Sequence, residues 1–279
     1  MATELEIKLT LSASAQAKAL EWLLARPEAS EGQRKTLINR YYDTPDAALN
    51  RSKAALRVRQ AGDRFIQTLK TKGEFVDGAH RREEWEWELS GPDLDLSLLE
   101  QTPLHGQVDL SDLALAFETN FQRQVVMLES GSSVIEVAVD SGEILGGGRS
   151  LPLHEVEFEL KAGEPGELMR WAKALACEVQ VFLNLVSKAE QGYFLAGIYQ
   201  PDVSVPEGPL SVTELLHTLS LSWLTGEPVK LPGTALSAIT GVASAAGLEQ
   251  EWQTLSQQLQ SGTTAAALIQ QLPELGQLQ

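Results

Sequence analysis

Apolar and charged residues alternate with a period of two in segment after segment of this chain. In Thr3-Glu4-Leu5-Glu6-Ile7-Lys8-Leu9, Glu4, Glu6 and Lys8 fall on one side and Leu5, Ile7 and Leu9 on the other, the signature of a strand with one apolar face. Residues 54–60 repeat it with Arg57 and Arg59 against Leu56 and Val58. A turn at Ala61-Gly62-Asp63 leads into residues 64–72, where Ile66, Thr68, Lys70 and Lys72 share a face. Residues 79–89 set Arg82, Glu84, Glu86 and Glu88 against Glu83, Trp85, Trp87 and Leu89. Residues 134–140 carry Glu136, Ala138 and Asp140 on one side; residues 153–160 set Glu155, Glu157 and Glu159 against Val156, Phe158 and Leu160. Residues 34–44 and 117–128, the latter holding Arg123, read as two more strands.

Helical spacing is found in three places before residue 200. Residues 12–26 carry Ala15, Ala19, Leu20, Leu23 and Leu24, with Ser12 or Ser14 as cap and Arg26-Pro27 as stop. Residues 165–177 begin on a proline suited to a first helical turn, and residues 187–198 form a short helix bearing Lys188. Residues 93–115 predict one or two short helices, and residues 142–148 a turn-rich link. At least seven alternating strands joined mostly by short turns predict an α+β protein built on an antiparallel sheet closed into a barrel. Beyond Pro201 the composition shifts. PDVSVPEGP is a linker, and residues 201–279 hold one basic residue, Lys230, against seven acidic ones. Leu215, Leu216, Leu219 and Trp223, then Leu255, Leu259 and Leu268, have helical spacing, so the division is a body over 1–200 and a small helical appendage over 201–279.

The net charge of −16 argues against nucleic acid, whose binding depends on Lys and Arg neutralising phosphates. Any anion site must then be a local cluster of cations, with metal ions as helpers. No run of about eighteen apolar residues predicts a membrane span, and the MATELEIK start lacks a basic, apolar leader. Cys177, the single cysteine, suits a reducing cytoplasm and, among apolar helical neighbours, is expected in the core.

The alternating charges form two sets. Glu4, Glu6, Glu84, Glu136, Asp140, Glu155 and Glu157 are acidic; Lys8, Arg57, Arg59, Lys70, Lys72, Arg82, Arg123 and Lys188 are basic. Periodicity alone leaves open whether they face water or a shared lumen. A charged lumen is costly unless opposite charges, metals or a ligand complete it. Clustered carboxylates suit hard divalent cations, and Arg and Lys suit phosphate oxygens, so a lumen of both describes a site for a metal-bridged phosphate chain. Other motifs are weak. Gly146-Gly147-Gly148-Arg149 lacks the ending of a phosphate loop, and Phe158 stands where His154-Glu155 would need a second histidine for a zinc helix. His80, His105, His154 and His217 are scattered, and the six tryptophans are read as packing.

Glu4-Leu5-Glu6-Ile7-Lys8 resembles the ExExK signature of the CYTH superfamily, the triphosphate tunnel metalloenzymes. Further matching pieces follow in family order: Tyr41-Tyr42-Asp43-Thr44-Pro45, Leu56-Arg57-Val58-Arg59, Thr68-Leu69-Lys70, Arg82 with Glu84, Arg123, Asp140, Glu155 with Glu157, and Ser187-Lys188. The resemblance covers about residues 1–198. It implies an eight-stranded antiparallel β-barrel, a tunnel with charges inside. It places metal ligands on Glu4, Glu6, Asp140, Glu155 and Glu157, and phosphate contacts on Lys8, Arg57, Arg59, Lys70, Arg82, Arg123 and Lys188. Glu84 would support the basic residues, with Lys72 and Glu159 behind them. Two Mg²⁺ or Mn²⁺ ions are implied, one held mainly by Glu4, Glu155 and Glu157 and one near Glu6 and Asp140; the catalytic roles fall on Glu6, Asp140 and Lys188. The implied activity is that of a cytoplasmic inorganic triphosphatase splitting tripolyphosphate into pyrophosphate and phosphate, with no nucleic-acid or membrane partner. The acidic tail departs from the basic, histidine-rich helical domain such enzymes often carry. The alternatives are a thiamine triphosphatase, a class IV adenylate cyclase, or a non-catalytic polyphosphate or nucleotide binder.

Overall fold

The alternation at the N-terminus becomes strand β1 (Ala2–Thr10), and the rest of the sheet is assembled around it in the computed structural model. Backbone is described for residues 2–71, 73–76, 79–205, 208–272 and 275–278; the side chains of residues 2, 3, 74–76, 80–82, 277 and 278 are not described. Lys72 therefore lies outside the described residues, as does the side chain of Arg82.

Along the chain follow α1 (Ala13–Leu24), β2 (Ala29–Asp43), α2 (Ala48–Arg51), β3 (Ala55–Ala61), β4 (Arg64–Lys70), β5 (Glu74–Val76) and β6 (Ala79–Leu89). After a 3₁₀ turn at Leu96–Gln101 come β7 (Ala114–Ser130), β8 (Ser133–Gly146), β9 (Arg149–Ala162), α3 (Gly166–Ala176), β10 (Phe182–Leu183) and α4 (Lys188–Leu195). Five helices follow among the described residues: α5 (Val212–Thr225), α6 (Gly233–Ala245), α7 (Glu249–Ser261), α8 (Ala265–Gln271) and α9 (Leu275–Leu278).

The class is α+β, a large antiparallel sheet with flanking helices. Strand order is β10-β1-β9-β8-β7-β2-β3-β4-β6-β5, with an additional β1–β6 pairing. Against the expected closed eight-stranded barrel, the sheet has ten strands among the described residues and begins and ends on the short β10 and β5. Among the described residues its two arms meet where Ala2–Glu6 pairs with His80–Glu84.

Two expectations are corrected. The link at 142–148 is sheet as far as Gly146, because the β7–β8 ladder runs on to Glu118 opposite Leu145. A Cβ on Gly142 would run into the Phe121 backbone and the Asn120 carbonyl, so the glycine there permits close strand approach rather than a turn. Cys177 is exposed as the C-cap of α3, not in the core.

The apolar faces point away from the charges. Ile7 and Leu9 of β1 and Val156 and Phe158 of β9 pack against Ala19 and Leu23 of α1 and Leu168, Trp171 and Leu175 of α3. Trp85 and Trp87 lie on Leu56, Leu69, Leu99 and Leu104, which keeps both indoles on the outer side as expected. On the charged side, α4 seals one region with Tyr193 and Leu195 against Leu37, Tyr41, Phe117, Phe121 and Ile144. Helices α5–α9 gather round Leu215, Leu219, Trp252, Leu255 and Leu259, and Phe182 of β10 enters the same cluster. No helix among the described residues is long and apolar enough to cross a membrane.

Candidate functional site

The charged faces turn toward one another and enclose a cavity of about 830 Å³. Its wall includes Glu4, Glu6 and Lys8 of β1, Arg57 and Arg59 of β3, Lys70 of β4, Glu84 of β6, Arg123 of β7, Glu136 of β8, Glu157 and Glu159 of β9, and Lys188 of α4. The orientation that periodicity left open is thereby decided: the ions face inward. Strand register explains the grouping, since Lys8 stands opposite Glu157, and Ala138 and Asp140 stand opposite Glu157 and Glu155.

Lys188 is the hub. Ser187 caps α4 through the Glu190 amide and so fixes the first residue of the helix over the strands. The Lys188 ammonium lies 3.0 Å from Asp140, 2.7 Å from Glu155 and 2.6 Å from Glu157. Burial alone would pull its pKa down, but the three carboxylates outweigh that and hold it above the ordinary lysine value. Glu157 responds in the opposite sense: burial pushes it up, yet Lys188 and Arg123 bring it well below the usual carboxylate range. Arg123 grips Asp140 through two hydrogen bonds of 2.7 Å and reaches Glu157 at 2.9 Å. Lys8 donates to the Val186 carbonyl and lies 3.4 Å from Glu155, which also accepts from Gln191 at 3.0 Å.

A second group surrounds Glu84. Lys70 lies 2.8 Å from Glu84 and 3.1 Å from Glu4, and Arg57 lies 3.7 Å from Glu84. Burial, opposed by Lys70 and reinforced by a hydrogen bond with Glu4, pushes the Glu84 carboxyl up to about 7. Arg57 also donates to Tyr41 at 3.4 Å, and Tyr41 stacks on Phe117 at 4.5 Å.

A third group is acidic. Glu6 stands opposite Glu159, which stands opposite Glu136. Lys161 lies 2.7 Å from Glu159 and 4.0 Å from Glu136. Burial first, and the fields of Glu4 and Glu136 after it, raise the Glu159 pKa against the pull of Lys161.

Strand register spreads the expected metal ligands along the cavity. Glu4 lies six residues along β1 from Thr10, the residue opposite Glu155, a separation of about 20 Å in an extended strand. It lies beside Lys70 and Glu84. Asp140 and Glu155 are 0% and 1% exposed and stand behind Arg123 and Lys188, outside the cavity wall. There Asp140 meets Arg123 and Lys188. Among the described residues, no three carboxylate, imidazole or thiolate groups converge as a ready metal cage. The donors nonetheless fit a hard cation: they are oxygen only, and the like-charge crowding felt by Glu159 is what a divalent ion relieves.

Several contributors were not among the expected residues. Lys161 extends the inward series 155, 157, 159 by one step and was discoverable from it. Gln191 and Tyr193 carry no charge to flag them, and Asn39, fully buried, reaches Arg59 from the neighbouring strand. His217 of α5 lines the cavity, so the C-terminal helices contribute a side chain to a region where none was expected.

An antiparallel sheet that gathers two carboxylates and a lysine of its first strand with arginines and lysines of later strands defines a CYTH protein. The CYTH domain profile matches residues 2–193, and the chain belongs to that family. It is 35% identical over 205 residues to the inorganic triphosphatase of Haemophilus influenzae, a match covering 70% of this chain. The chain spans about half the length of that relative, 55%. Among solved structures it is similar in fold to a Hippeastrum protein described as an adenylyl cyclase with a dominant triphosphatase activity. That match has a TM-score of 0.50 and 21% identity, and covers 71% of this chain and 98% of the other. A Bacillus halodurans adenylate-cyclase-like structure gives a TM-score of 0.44 at 18% identity, covering 63% and 92%.

Proposed function

We propose that the protein is a metal-dependent inorganic triphosphatase that works as a tunnel enzyme, hydrolysing tripolyphosphate to pyrophosphate and phosphate. One observation carries the reading. In a chain of net charge −16, Lys8, Arg57, Arg59, Lys70, Arg123 and Lys188 leave four strands and a helix to enter one cavity. Such a concentration of donors suits a compact polyanion, and guanidinium groups suit its paired oxygens. The backbone of Arg82 lies opposite Glu4, a position consistent with a further contact. The name of the Haemophilus influenzae relative supports the activity.

Glu4 and Glu6 of β1 and Glu157 and Glu159 of β9 would hold Mg²⁺ or Mn²⁺. Such an ion supplies charge neutralisation at the phosphate oxygens and polarises the reacting phosphoryl group. The chain's own residues do the rest. Arg57, Arg59 and Arg123 align the phosphate chain, and Lys188, kept protonated by its three carboxylates, offsets charge developing on the departing pyrophosphate. Water forms the new P–O bond as the bridging P–O bond breaks, and the water's proton is lost to solvent or product. Asp140 and Glu155 orient Arg123, Lys188 and Lys8 and take no part in bond changes.

Trp85 and Trp87 pack outside, which removes these two indoles as candidates for a nucleobase or thiazolium pocket. Purified protein should release phosphate from tripolyphosphate with Mg²⁺ or Mn²⁺, lose this in EDTA, and lose it in K188A. Faster turnover of ATP or thiamine triphosphate, cyclic AMP formation, or binding without turnover would each overturn the assignment.

A further inference from the structure

The cations buried or half-buried in the cavity wall are matched to carboxylates with one exception among the described residues. Lys8 meets Glu155, Arg57 meets Glu84, Lys70 meets Glu4 and Glu84, and Arg123 and Lys188 share Asp140 and Glu157. Arg59 instead donates from Nε to the amide oxygen of Asn39 at 2.7 Å. Asn39 is 0% exposed and stands between two cross-strand neighbours, Arg59 on β3 and Thr119 on β7. Its Nδ2 donates to the Thr119 carbonyl at 2.8 Å, which fixes the amide with its oxygen toward the guanidinium. No described residue accepts a hydrogen bond from the Arg59 Nη groups, so that fork is left for the cavity.

The choice of a neutral partner has an electrostatic meaning. A carboxylate would hold Arg59 more tightly but would cancel the charge the cavity needs. Burial, then the fields of Arg57 and Arg123, already weaken the hold of Arg59 on its proton toward about 9, which marks it as a site where positive charge exceeds local compensation. An arriving anion relieves that excess.

We propose that Asn39 is a positioning residue for anion binding: a neutral acceptor that aims the Arg59 guanidinium into the cavity without cancelling its charge. This rests on the polyphosphate reading above. The test is calorimetric titration of the full chain with pyrophosphate and with tripolyphosphate, with Mg²⁺ and separately with EDTA, for the native protein, N39D, N39S, R59Q and N39D/R59Q. Thermal unfolding checks the fold of each. N39D should weaken binding tenfold or more, and more than N39S, because it adds a charge as well as disturbing the aim. In the R59Q background N39D should cost clearly less than in the native protein, since the part of its effect that runs through the arginine is gone and only the repulsion of its added charge remains. If N39D does not fold, N39S and N39S/R59Q carry the same comparison, with a smaller single-variant loss. Native-like affinity in the folded asparagine variants, or full additivity with R59Q, overturns the proposal while leaving the triphosphatase reading intact. A native protein that binds neither anion overturns both.

Discussion

Arg123 and Asp140 stand opposite each other on the β7–β8 ladder, joined by two hydrogen bonds of 2.7 Å, and the Asp140 side chain has no exposed surface. Breaking one partner of such a pair strands a buried charge, at a cost of about 3–5 kcal/mol. D140N should fall at the lower end, because Glu157 still meets Arg123. The apolar double variant R123M/D140L should lose less stability than D140N and still lose anion binding. Urea unfolding of the three proteins, with pyrophosphate titration alongside, tests both; D140N as stable as the native protein would refute the first.

Gly192 sets two effects against each other. Replacing glycine by alanine inside an exposed helix gains about 1 kcal/mol. On α4, however, a Cβ at residue 192 would enter the Phe117 ring, which is 2% exposed and wedged between Tyr41 and Tyr193. Overpacking of that kind costs about 1–3 kcal/mol. G192A should therefore be destabilised on balance and, because Lys188 begins the same helix, should raise KM for tripolyphosphate. A thermal midpoint at or above the native value would show that α4 can shift freely.

The raised carboxyl of Glu84 gives a pH dependence of defined sign. Its native pKa of about 7 exceeds the unfolded value of 4.5, so between those pH values the native state binds more protons than the unfolded state. Its contribution to stability is present at low pH and is lost as pH rises from 4.5 through about 7. The ceiling is about 3 kcal/mol, because each tenfold gain in proton affinity is worth about 1.4 kcal/mol. E84Q should flatten the stability profile across that window while leaving the profile below it unchanged. An identical slope in E84Q would assign the dependence to another group.

Divalent cations should stabilise the folded chain without substrate. Binding at a hundredfold excess over Kd adds about 2.7 kcal/mol. E6Q and E159Q should each reduce the Mg²⁺ or Mn²⁺ increment in a thermal-shift titration, and E136Q should reduce it less, since Glu136 stands one strand further from Glu6. An undiminished increment in E6Q and E159Q would place the ion elsewhere.

The legible part of the molecule was the part encoded within single strands. Alternation located Glu4, Glu6 and Lys8, and the 79–89 segment coincides with β6 to the residue. Other segments were cut short where alternation fades though pairing continues: β7 and β8 extend to Ala114 and Gly146. The two-residue β10 is too short for any periodicity to show. Glu4 illustrates what spacing could not supply, since its ion pair with Lys70 of β4 follows from the curl of the sheet and not from alternation within β1.

What the sequence by itself determined is which residues share a face, because side-chain direction in a strand follows the backbone pleat and needs no distant partner. The tertiary structure alone decided which way that face points and which ions meet across it. Register and strand order bring residues more than a hundred positions apart together, as with Lys8 and Glu155, and those depend on how the whole sheet curls around its buried charge.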